Sequence, residues 1–224
     1  MFLLLILVML AIFVLPNVWA KWILQRHHRG RDDYPGTGAE LAEHLLRRLK
    51  IEGVRVERTE RGDHYDPGAR CVRLSDAHFD GRSLTAVTVA AHEVGHAIQH
   101  HQGYAPLLAR SRLVGMAQKA EKIGALLMMA APFLFLLTRT PGGLALVIIL
   151  AVLSFGTAAL VHLVTLPVEF DASFNRALPL LEEYVSPKDM SGARHVLTAC
   201  AFTYVAASLA SILNLGRWLA ILRR

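Results

Sequence analysis

Cysteine is nearly absent from this chain. Only Cys71 and Cys200 occur in 224 residues, and Cys200 lies in an apolar run. That excludes a disulfide framework and makes a cysteine-based metal site improbable. A Lys/Arg-rich block interleaved with aromatics is also missing, although the formal charge is +6, from 24 Lys+Arg against 18 Asp+Glu. Nucleic acid is therefore not an expected partner, since in an apolar chain such an excess normally marks cytoplasmic flanks of membrane spans. Residues 2–20, "FLLLILVMLAIFVLPNVWA", carry no charge, and no basic segment precedes them. A signal peptide cleaved after "VWA" fits that pattern less well than a retained helix followed by Lys21, Arg26, Arg29 and Arg31. No internal repeat or low-complexity tract is present.

What the chain has in abundance is apolar surface. Hydrophobic residues make up 54% of it and the mean hydropathy is +0.38, too apolar for an ordinary soluble domain. A bilayer span takes about 20 mostly apolar residues, and four stretches are candidates: 1–20, 123–138, 140–168 and 196–216. The turn "TRTPGG" at 138–143 makes the second and third a hairpin over 123–168. Lys and Arg cluster on one side of this scheme, at 21–31, 110–122 and 176–194, whereas the other side holds Arg139, Arg217, Arg223 and Arg224. The expectation is a mainly α, multi-pass protein of the cell membrane (a bacterial inner membrane). Its four transmembrane helices accompany a small α+β catalytic domain at 21–122, facing the cytoplasm. A helix and loop at 167–195 and a basic tail at 217–224 complete the organisation.

Within 21–122 the linker "RHHRGRDDYPGTG" leads to a helix at 38–50, with Leu41, Leu45, Leu46 and Leu49 on one face. "GVRVER" and "ARCVRLSD" then alternate as strands of a hairpin around the turn-rich "GDHYDPG". A second helix runs from Ser83 as N-cap to Gly103 as C-cap, and it carries "AAHEVGHAIQH" at 90–100.

On a helix, His92 and His96 lie about 6 Å apart along the axis and some 40° around it. Both imidazoles then reach one tetrahedral Zn²⁺, while Val87, Ala91, Val94 and Ile98 bury the opposite face. Glu93 is placed to face a metal-bound water and not the metal, the division of labour of a zinc hydrolase with a glutamate general base. Such a catalytic site needs a third protein ligand. His100 lies about 12 Å along the axis from His92, too far to share a metal. The longer three-histidine form would need Gly at 99 and His at 102, and both positions are Gln. The third ligand must come from elsewhere. In "TLPVEFDASFNRAL", at 165–178, Pro167 suits a helix first turn. Glu169, Ser173 and Arg176 then share a face and Asp171 points away. By itself Glu169 could equally be a charge capping a helix N-terminus.

"DHYDP" at 63–67, "VAAHEVGHAIQH" at 89–100, "GY.PL..R" at 103–110, "TLPVEFDAS" at 165–173 and "TACAFTYVAA" at 198–207 resemble the YugP-type neutral zinc metallopeptidases of bacterial membranes. The resemblance runs through nearly the whole chain. It implies a gluzincin-like membrane peptidase holding one Zn²⁺, with Glu169 matching the family's third ligand. More distantly, the layout is similar to the heat-shock membrane proteases and CAAX prenyl proteases. Those carry Asp four residues after the ligand Glu, where this chain has Ser173, so Ser173 and Asp171 are both candidates for orienting a ligand histidine.

Other polar residues have two readings each. His64 and Tyr65 could line the cleft as donors to a developing oxyanion, or "DHYDP" could be an Asx-type turn. Arg176 could hold the third-ligand helix, bind a substrate carbonyl or form a structural ion pair. His162, inside an apolar stretch, is costly unless it faces protein, and Tyr104 reads as packing. The expected activity is zinc-dependent endopeptidase cleavage of a polypeptide, with membrane or misfolded proteins as candidate substrates and a peptide strand adding along 70–75. The rivals are an intramembrane protease and a zinc-stabilised membrane adaptor without turnover. An intact Glu93 opposes the adaptor. Oligomeric state is not legible in the sequence.

Overall fold

The computed structural model describes residues 2–138 and 165–203, with positions 149 and 161. The chain divides into two compact units. One comprises Met1–Phe13, Ala109–Thr165 and Tyr204–Arg224; the other comprises Val14–Leu108 and Leu166–Thr203. In the first unit the described residues are helical up to position 138, as parts of α1 (Phe2–Arg26) and α5 (Ala105–Thr138).

The second unit holds the expected small α+β body. Helix α2 (Gly38–Arg48) starts where the sequence demands it. The Thr37 hydroxyl accepts from the Glu40 amide at 3.2 Å, and the Glu40 carboxylate accepts from the Thr37 amide at 2.7 Å. This reciprocal cap satisfies two otherwise orphaned donors. Leu41, Ala42, Leu45 and Leu46 bury its inner face.

Strands β1 (Arg55–Arg58), β2 (His64–Asp66) and β3 (Cys71–Leu74) form a sheet of order β1-β3-β2. The expected hairpin of 53–58 with 69–76 is replaced by a parallel pairing, Arg55 opposite Cys71 and Arg58 opposite Leu74. The turn-rich segment itself supplies the antiparallel partner, β2. An Asx turn does form, at Asp66, whose Oδ1 accepts from the Gly68 and Ala69 amides at 2.9 and 3.0 Å. It reverses the chain between β2 and β3. Because β3 is central and paired on both sides, a peptide cannot add along 70–75 as expected.

The short α3 (Asp76–Phe79) precedes α4 (Leu84–His101), which is capped by the Ser83 hydroxyl at 3.1 Å from the Ala86 amide and ends before Gly103 at φ +65°. The N-cap is the expected one, and the C-cap is Gln102, one residue before the expected Gly103. Every residue from Leu84 to Gln99 is buried, so α4 is the central helix of the unit and not an amphipathic surface helix. Residues 165–170 are helical and continue into a π-helical turn, Asp171–Ala177, and then α6 (Leu178–Leu181). Residues 190–203 form a further helix.

The four-span expectation is overturned. Among the described residues no helix is long and apolar enough to cross a membrane. Several of the apolar residues that suggested spans pack instead into the core of the second unit: Ala20 of α1, and Val196, Leu197 and Ala199 of the helix at 190–203. Val168, at the end of the third stretch, is likewise fully buried. In α5 the uncharged stretch 123–138 falls short of about 20 residues, and the turns before it carry Arg110, Arg112, Lys119 and Lys122. Apolarity alone does not separate a bilayer helix from a helix buried in protein. The rest of the third and fourth stretches, His162 and the basic tail lie outside the described residues. The cytoplasmic side assigned to 21–122 loses the spans on which it rested.

Candidate metal centre

Helix α4 and the segment 165–177 meet face to face, and the meeting depends on one small residue. A Cβ on Gly95 would lie 2.6 Å from the Ala172 carbonyl oxygen, so only glycine lets the two backbones approach this closely. Gly95 sits between Glu93 and His96, which brings the approach directly over the histidine pair.

His92 and His96 stack edge to face with ring centroids 4.8 Å apart. Glu169 reaches between them from the facing segment. Its Oε2 is 3.3 Å from His92 Nε2 and 3.2 Å from His96 Nε2. The three ligand atoms lie within 4.8 Å of one another, and all three residues are buried. Burial would push the Glu169 carboxyl up, but the two imidazoles, His96 foremost, hold it well below the usual carboxylate range.

The outer ring nitrogens are held as firmly as the inner ones. Ser173 Oγ is 3.0 Å from His92 Nδ1 and directs its own hydroxyl to the Leu197 carbonyl at 3.4 Å. With that hydrogen committed, its oxygen accepts from Nδ1–H. Gln99 serves His96. The Gln99 amide nitrogen donates to the Val168 carbonyl at 2.8 Å and to Asp171 Oδ2 at 2.7 Å. That fixes the amide orientation, and Oε1 accepts from His96 Nδ1 at 2.9 Å. Both imidazoles are thus anchored through Nδ1, which leaves Nε2 as the nitrogen that faces Glu169 and that would ligate a metal once its hydrogen is lost.

Asp171 does not point away from this face. The π-helical turn, with more residues per turn than an α-helix, swings it to Gln99 while Arg176 donates to the same Oδ2 at 2.6 Å. Arg176 also bonds Gln102 Oε1 at 2.5 Å and lies 5.4 Å over the Tyr104 ring. The ion pair with Asp171 is present, and the bond to Gln102 ties the segment to the end of α4. Gln99 was missed in the sequence, where it registered only as the absence of a glycine. A signal was available: a Gln three residues after a ligand histidine shares its helix face.

Glu93 is buried beside His92, and burial pushes its pKa up to about 7 against the opposing charge of His92. The Tyr65 hydroxyl is committed to His100 Nδ1 at 2.8 Å, and burial pushes that phenol up to about 12. His64 Nδ1 bonds the Gly62 carbonyl at 2.8 Å, within its own turn. Neither side chain joins the histidine–glutamate cluster. Two ring nitrogens, each imidazole held at its far side, and one carboxylate oxygen, all buried, form a donor set that suits Zn²⁺.

No solved structure matches the chain. It is 41% identical over 189 residues to "Putative membrane protease YugP" of Bacillus subtilis (strain 168), covering 83% of this chain and 80% of that protein. Residues 1–223 match the family described as "Putative neutral zinc metallopeptidase". The chain belongs to that family.

Proposed function

We propose that the protein is a membrane-associated, zinc-dependent endopeptidase in which His92, His96 and Glu169 hold one Zn²⁺ and Glu93 is the general base. The observation that carries the reading is the convergence of two histidine Nε2 atoms on one oxygen of the buried Glu169. Bound there, the metal supplies a water with a pKa lowered toward about 7 and polarises the scissile carbonyl. Ser173 and Gln99 keep the imidazoles in the ligating tautomer. Glu93, adjacent to His92 and held near neutrality by burial, takes the proton of the attacking water and passes it to the leaving amine. The substrate is a polypeptide. An extended chain lies along the edge strand β2, since β3 has no free edge. Membrane association is supported by the name of the Bacillus relative.

Glu93→Gln removes the base and leaves the ligand set intact. The purified variant is expected to bind zinc at the wild-type stoichiometry and to lose about 10²–10⁴-fold in peptide hydrolysis. Wild-type-like hydrolysis by the variant rejects the mechanism. Zinc bound by a wild-type chain that hydrolyses no peptide would favour the adaptor.

A further inference from the structure

The outer face of α1 is apolar where the second unit begins. Val14, Val18 and Trp22 recur every fourth residue on one face, flanked by Leu15, and all four are exposed. The same face ends in Arg26, whose guanidinium lies 5.1 Å over the Trp22 ring. From Val14 to Arg26 this stripe is about 18 Å long, close to the roughly 15 Å hydrocarbon depth of one lipid leaflet.

Beside its basic end is a pocket of about 380 Å³, lined by Trp19, Trp22, Ile23, Arg26, His27, Ser191, Gly192 and His195. Arg26, His27 and His195 face it, and among the described residues no carboxylate lines it. Asp189, the acid whose charge acts on His27, is committed to Arg31 at 2.9 Å and to the Ser186 hydroxyl at 2.7 Å. Among the described residues Arg26 makes no ion pair. The His27 ring packs against the Gly192 backbone, where a Cβ would lie 3.0 Å from His27 Cε1. Ser191 and Gly192 also belong to the first turn of the helix at 190–203, whose amides add to the positive field. Burial and then the charges of Arg26 and His195 hold the His27 pKa below its ordinary value, a repulsion that an anion in the pocket would relieve.

Apolar stripe, aromatic belt and cationic pocket follow one another in the order of an amphiphile's tail, glycerol region and phosphate. We propose that they form a binding site for an anionic phospholipid, with the headgroup phosphate between Arg26, His27 and His195 and an acyl chain along Val14, Leu15 and Val18. The site is independent of the peptidase reading.

The test uses the full chain in a neutral detergent and follows tryptophan fluorescence, since Trp19 and Trp22 both line the pocket. It is titrated with short-chain phosphatidylglycerol, with phosphatidylcholine of the same chain length, and with inorganic phosphate. Phosphatidylglycerol is expected to bind saturably and at least about tenfold more tightly than phosphatidylcholine, with phosphate alone weaker still. The double variant Arg26→Gln/His195→Gln, at two exposed positions, is expected to bring that preference within about twofold. Hydrolysis of a soluble peptide should be unchanged, so loss of the lipid site and loss of the peptidase reading are separable. Equal affinity for the two lipids, equal affinity for inorganic phosphate, or a preference that survives in the double variant would each overturn the proposal.

Discussion

Two segments build the candidate metal centre, and they do so differently. Helix α4 is regular, capped at Ser83, and places His92 and His96 by helical repeat alone. The facing segment 165–177 is irregular: a short helical run passes into a π-helical turn before Glu169, Asp171, Ser173 and Arg176 find their partners. Spacing predicts what a regular element does. On the irregular one, the same spacing rule rightly grouped Glu169 with Ser173 but sent Asp171 the wrong way, because the rule assumed 3.6 residues per turn. Function thus leans on a predictable half and an unpredictable half, joined at Gly95.

The comparison can be broken most severely at Glu169. Glu169→Ala removes the carboxylate that the irregular segment contributes to the candidate site, and zinc per chain after mild chelation is expected to fall to a small fraction of the wild-type value. Asp171→Ala should cost less, about 10–100-fold in zinc affinity, because it acts through Gln99. Zinc retained in Glu169→Ala but lost in Asp171→Ala would reverse the assignment.

Gly95→Ala attacks the junction instead of either half. A methyl 2.6 Å from the Ala172 carbonyl must push the segments apart, at about 1–3 kcal/mol of overpacking strain. The expected result is a lower Tm together with weakened zinc binding, since Glu169 and Ser173 would move away from the histidines as one body. A variant of unchanged zinc affinity would show that the close approach does not hold the site.

The finest test compares the two supports. Ser173→Ala frees His92 Nδ1, and Gln99→Ala frees His96 Nδ1 and strands one donor of the network. Each is expected to lower zinc affinity about 10–100-fold. Gln99→Ala should be the larger, because it also unties Val168 and Asp171. Competitive titration with a zinc chromophore measures both, and a larger loss in Ser173→Ala would place the stronger support on the short link.

Much of the remaining fold was legible where local rules suffice. The capping box at Thr37 and Glu40 and the buried leucines of α2 follow from residue type and repeat. Parallel pairing of β1 with β3 was not legible, because alternation marks a strand without naming its partner. The membrane spans failed for a related reason. Val196, Leu197 and Ala199 are as apolar as a bilayer helix needs, yet protein surrounds them. Cys71 shows the same effect on one side chain: it sits among charged neighbours in sequence, but burial shields it and pushes its thiol up to about 11.

The sequence by itself determined that His92, Glu93 and His96 would share one helix with the two imidazoles on one face, because an α-helix converts a spacing of four into one shared face. Only the tertiary structure decided that Glu169 would meet them, that Gln99 and Ser173 would fix their tautomers, and that α4 would be buried on every side. Those outcomes depend on contacts between residues some 70 positions or more apart, such as Gln99 with Val168 and Ser173 with His92. No local periodicity encodes such contacts, and here a π-helical turn and one missing Cβ set their geometry.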